Sequence, residues 1–170
     1  MKRESIIHPF PAFFRPDSRI LILGSFPSVK SREQLFFYGH PQNRFWKVIA
    51  ALYQEETPAT IPEKERFLEA HRIALWDVIG SCTICGSSDS SIADVVPNDL
   101  TRILNGAPVE QIYVNGKTAE RFYLKYQEPV LHRSAVCLPS TSPANAAWSV
   151  ERLIGVWKKV LEPNDRTKSQ

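Results

Sequence analysis

At 170 residues, 43% of them apolar, the chain suits one domain with a sizeable core, and either half alone would bury too little surface. Its net charge of +3 tolerates a polyanionic partner without demonstrating one. The chain has no apolar run of the roughly 18 residues a membrane span needs, residues 1–10 lack a signal-peptide core, and three cysteines cannot pair into a scaffold, so a cytoplasmic protein with no membrane association is expected.

In chain order, the first predicted strand is the apolar run 20–23, which ends in Gly24. A helix over 43–53 follows, with Asn43 as candidate cap, and then a helix over 62–71 and a strand over 73–78. Asn98 is placed to start a helix over 98–104, ahead of a strand at 111–114, a helix at 116–126 and a strand at 135–138. Ser142 and Pro143 offer a hydroxyl cap and a first-turn proline for a last helix over 143–161. Residues 1–162 are expected to form the single domain, and the polar stretch 163–170 a disordered tail. Strand and helix alternate, so the fold class is α/β, a three-layer α/β/α sandwich around a four-stranded parallel sheet. Ligands of such sheets bind beyond the carboxyl ends of the strands, so the loops after 23, 78, 114 and 138 should share one rim.

The unusual residues fall on that rim. Gly24-Ser25-Phe26-Pro27 is a loop whose backbone N–H groups can face an anion or a carbonyl, and Tyr38 offers a flat surface for a base. Taken singly, Tyr38, Phe45 and Trp46 fit a core better than a ligand contact, because aromatics dominate core burial. Lys30, Arg32, Arg44 and Lys47 cluster around this segment as candidate partners of a polyanion. His40 precedes a proline, where it can either move a proton or merely bond the backbone. Ser140 and Ser142 can bind phosphate or cap a helix. Cys82, Cys85 and Cys137 fall short of four metal ligands, so no metal is expected.

The block Gly39-His40-Pro41-Gln42-Asn43-Arg44-Phe45-Trp46 resembles the mismatch-specific uracil and thymine DNA glycosylases. Leu138-Pro139-Ser140-Thr141-Ser142-Pro143 is similar to the second motif of the uracil-DNA glycosylase superfamily, the loop that presses on DNA when a base is flipped. Relatives that excise uracil carry Asn or Asp where this chain has Phe26. With Tyr38 and Asn43, and with the stretches 75–82 and 86–92, Phe26 makes the chain resemble the DNA-deoxyinosine, or hypoxanthine-DNA, glycosylase branch. The resemblance implies removal of hypoxanthine from damaged DNA, with Asn43 as the catalytic residue. Taken with the chemistry of the residues, it places Gly24, Ser25, Phe26, Tyr38 and His40 at the base, and Lys30, Ser31, Ser140, Thr141 and Ser142 at the DNA. Lys30 and Lys47 match no catalytic position of the family, so a monofunctional enzyme is expected, working as a monomer without a cofactor. Excision of uracil or mismatched thymine is the nearest alternative, and a non-catalytic nucleic-acid binder the alternative of another class.

Overall fold

The computed structural model describes residues 2–168, with side chains as far as Leu161; the expected tail, 163–170, lies outside the described side chains. Its centre is a four-stranded parallel sheet in the order β3-β2-β6-β7, flanked by helices as the alternation predicts. Strand β2 (Ile20–Gly24) lies between β3 (Ile73–Asp77) and β6 (Gln111–Asn115), and β7 (Ala135–Leu138) pairs with β6. All five residues of β2 and all five of β3 are buried, the continuous apolar run that a strand covered on both faces requires.

The helices are α1 (Val29–Gln34), α2 (Phe45–Leu52), α3 (Ile61–Ala70), α4 (Thr101–Gly106), α5 (Lys117–Phe122), α6 (Glu128–Leu131) and α7 (Val150–Lys168). Helix α3 opens on a capping box: Thr60 Oγ1 accepts from the Glu63 N–H at 3.2 Å and Glu63 Oε1 from the Thr60 N–H at 3.0 Å. Such a pair satisfies two orphan donors and contributes about 1 kcal/mol. Helix α2 packs on α7, with the fully buried rings of Phe45 and Trp157 edge to face at 5.9 Å.

Three expectations change. A second, antiparallel sheet in the order β1-β4-β5 is built from β1 (Arg3–Ile7), β4 (Ile79–Cys85) and β5 (Ala93–Pro97). Strand β1 has four exposed residues of five and no apolar alternation, so its pairing partner about 80 residues away could not be read from its own sequence. Asn98 caps no helix: its Nδ2 donates to the carbonyls of Asp77 and Ile79, and α4 starts at Thr101, whose N–H donates to Asp99 Oδ1. The last helix begins at Val150 rather than at 143. The Arg44 guanidinium donates to the carbonyls of Ser142, Asn145 and Trp148, acceptors that a helix starting at Pro143 would have used for its own ladder.

Candidate active site

The chain leaves β2 toward β3 on one side and reaches β6 on the other, so the crevice of the sheet opens where the order reverses. There the carboxyl ends of three strands supply Gly24, Asp77 and Asn115, and the loop after β7 supplies Ser140, Thr141 and Ser142. The cleft they enclose measures about 270 Å³, just under the roughly 300 Å³ at which drug-sized pockets begin, so it suits one base rather than a whole nucleotide.

Asn43 stands on the wall of the cleft. Its Oδ1 accepts from the Phe45 N–H and from Thr141 Oγ1, both at 2.9 Å. Thr141 Oγ1 in turn accepts from Asn115 Nδ2 at 3.0 Å, while the Thr141 N–H donates to Asn115 Oδ1 at 3.1 Å. Both lone pairs of the Asn43 oxygen are therefore taken, and its amide N–H groups are what it has left to offer. The cap position of α2 is Arg44, so Asn43 is not the helix cap; its bond to the Phe45 N–H is an i→i+2 side-chain turn that leads into the helix from the cleft wall.

Tyr38 lies in the left-handed region at φ 52°, a conformation that costs a tyrosine about 1 kcal/mol. One face of its ring stacks on Phe45 at 4.1 Å, and Trp46 Nε1, donating to the Phe37 carbonyl, holds the adjoining turn. The phenol oxygen is buried without a hydrogen-bond partner. Burial, then the Asp77 charge, raises its pKa, while the Asn115 amide pulls the other way. The phenol thus keeps its proton.

Gly24, Ser25, Phe26, Ser31 and His40 also line the cleft. Phe26 is 9% exposed, so this wall carries a ring where a water-holding side chain would need a polar head. The Gln42 N–H donates to His40 Nδ1, which leaves the proton of the neutral ring on Nε2. Buried Ser31 accepts from the Gly39 N–H at 2.9 Å, and so tethers the Tyr38 turn. Ser140 and Ser142 hydroxyls accept from the N–H groups of Ser142 and Ala144, closing the loop on itself.

Lys30 is not among the lining residues; it is half exposed and paired with Glu33 at 3.5 Å. Arg32 and Arg44 are not open to a polyanion as their clustering suggests. Arg32 donates to the carbonyls of Pro27 and Gly86, and Arg44 clamps the loop from Thr141 to Trp148.

Sequence reasoning missed Asp77, Asn115, Ser87 and Asp89, all of which line the cleft. Asp77 and Asn115 had a signal, a polar residue at the carboxyl end of a buried strand. Asp89 lies on the short turn Asp89–Ser91, where loss of hydration at the cleft raises its carboxyl pKa against the pull of the Thr118 and Ser25 hydroxyls.

The uracil DNA glycosylase superfamily model matches residues 11–161, a span that takes in every lining element above. The chain belongs to the uracil DNA glycosylase superfamily. Two relatives bear the name hypoxanthine DNA glycosylase. One, from Methanosarcina acetivorans, is 35% identical over 148 residues, covering 84% of this chain and 90% of the relative. The other, from Methanosarcina barkeri, is 30% identical over 124 residues, covering 72% and 75%. A solution NMR structure from Methanosarcina acetivorans, provisionally named a uracil DNA glycosylase, superposes with a TM-score of 0.74 at 31% identity, covering 91% of this chain and 98% of that one. Among the described residues no helix is long and apolar enough to cross a membrane.

Proposed function

We propose that this glycosylase hydrolytically excises hypoxanthine from deoxyinosine-containing DNA and leaves an abasic site. The observation that carries the reading is Asn43, whose saturated carbonyl oxygen turns it into a donor at the cleft. Cleaving an N-glycosidic bond puts positive charge on the sugar and negative charge on the departing base. A donor fixed beforehand lowers that barrier without rearranging in the transition state. The same saturation argues against Asn43 as the acceptor that activates water. Flipping the nucleotide costs a few kcal/mol, offset by enclosure in the cleft between Phe26 and the Tyr38 turn.

No lysine of the described residues lines the cleft, which supports hydrolysis without a Schiff-base step. The loop carrying Ser140 and Ser142, together with the exposed Lys30, faces the DNA backbone in this proposal, whereas buried Ser31 and Thr141 hold the site from within. A single-domain monomer is the working form in this proposal.

The test uses labelled duplexes carrying deoxyinosine, uracil or a G·T mismatch, with alkali to cleave abasic sites. Deoxyinosine strands should break, and Asn43→Ala should slow that by about 100-fold, the scale seen when one transition-state donor is removed. Release of uracil with deoxyinosine intact would sink the substrate assignment. Full activity in Asn43→Ala would remove that residue from the mechanism.

A further inference from the structure

Asp77 and His8 form a buried pair that the chemistry above does not use. His8 follows β1 and is held there by its N–H, which donates to the Gly80 carbonyl at 2.7 Å. Its Nε2 lies 2.7 Å from Asp77 Oδ2, with side-chain exposures of 3% and 6%. The imidazole is packed edge-on among Phe10, Phe26 and Trp76, and its Nδ1 has no partner. A ring so enclosed has one polar contact, and a carboxylate only accepts, so Nε2 is the donor.

With Oδ2 taken, Oδ1 is the oxygen nearest the cleft floor. A Cβ built on Gly24 would lie 2.5 Å from it and 3.3 Å from the Tyr38 hydroxyl. An acceptor and a partnerless buried donor therefore sit against the same glycine, on the lining of a base-sized cleft. A buried hydroxyl with no partner is costly, and here a ligand would supply the missing bond.

We propose that these two groups read the Watson–Crick edge of the extruded base: Asp77 Oδ1 accepts from N1–H and the Tyr38 hydroxyl donates to O6. His8 is a positioning residue that holds the carboxylate in that orientation. This rests on the function proposed above and adds its basis for selectivity. Hypoxanthine differs from adenine by a carbonyl at C6 and a proton on N1. Adenine turns an N1 lone pair toward Oδ1, so the undamaged base sets two acceptors against each other with no proton between them and is rejected. The antiparallel sheet becomes part of the active site, since its first strand delivers His8.

Single-turnover release is measured on duplexes carrying deoxyinosine and on duplexes carrying deoxynebularine, a purine without O6 or N1–H. The wild type should favour deoxyinosine. Asp77→Asn, whose amide can turn an N–H toward N1, should lower the deoxyinosine rate by about 10- to 100-fold and narrow the ratio at least about tenfold. Tyr38→Phe should narrow it as well. His8→Phe should narrow the ratio, and His8→Gln, whose amide can still donate to Asp77, should recover most of it. A merely structural defect would slow both substrates equally.

A ratio in Asp77→Asn within about twofold of wild type would overturn the edge reading. A wild-type ratio in folded His8→Phe would overturn the positioning role; should that variant fail to fold, the ratio in His8→Gln decides, and a loss there equal to that of Asp77→Asn would overturn it. A wild type that releases no hypoxanthine sinks the proposed function itself, whereas excision with an unchanged ratio sinks only this inference.

Discussion

Thr141→Val exchanges a hydroxyl for a methyl of nearly the same shape, so it deletes one polar atom from a fully buried side chain and leaves the backbone bond to Asn115 Oδ1 in place. Two hydrogen bonds go: the one that Asn115 Nδ2 donates and the one that Thr141 Oγ1 donates to Asn43. Each stranded group costs about 1–3 kcal/mol when dry, and both border a cleft that water can enter, so the net cost is about 2 kcal/mol. For a domain of this size that lowers Tm by roughly 4–8 °C. The catalytic consequence is larger than the thermal one. With a lone pair of Oδ1 released, Asn43 loses one of the two contacts that fix its amide, and single-turnover excision should fall about 10- to 100-fold. Thr141→Ser, which keeps the hydroxyl, should recover most of both losses. Wild-type excision in Thr141→Val, at a confirmed lower Tm, would refute the claim that this relay aims Asn43.

Gly24→Ala places a Cβ 2.5 Å from Asp77 Oδ1, an atom held by His8, and should cost about 1–3 kcal/mol in chemical denaturation and about 100-fold in excision rate. Arg44→Met keeps the aliphatic stem but frees the carbonyls of residues 142, 145 and 148. Limited proteolysis should then cut between 141 and 149, with stability lower by about 2 kcal/mol. The Tyr123 hydroxyl donates to the Arg133 carbonyl at 2.6 Å, and burial, followed by the nearby Glu128 charge, pushes its pKa from 10.0 up to about 12. The native state therefore holds this proton more tightly than the unfolded chain, and stability should fall as pH rises between 10 and 12. Tyr123→Phe should flatten that slope; an equal slope in the variant would show that the fall has another source, with Tyr38, raised in the same sense, the first to test. Burial pushes the Cys82 thiol up to about 11, so it should resist alkylation in the native protein at pH 8, and labelling as fast as a free thiol would contradict its packing.

The parallel sheet was legible because central parallel strands are buried on both faces and leave unbroken apolar runs, as in β2. The rim that carries the candidate site followed from the alternation of strand and helix, and the short blocks around Asn43 and Thr141 marked its loops. What could not be read is which partner each polar group takes. Arg44 looked like a cation for phosphate and proved to be a clamp on four carbonyls, because its reach crosses about 100 residues of sequence. Ser142 and Pro143 carry a local helix-start signal, yet that same clamp removes the carbonyls a helix there would need.

By itself, then, the sequence determined the layered α/β architecture, the rim that carries the candidate site and the family to which its motifs belong, since these depend on local periodicity and on residues close along the chain. Only the tertiary structure decided that Asn43 is a donor, that Tyr38 keeps an unpaired hydroxyl, and that His8 holds Asp77. Those outcomes depend on hydrogen bonds between residues 69 to 98 positions apart, or on burial that only the packed sheet creates. Such pairings leave no period in the chain, because one side chain is enough to make each of them.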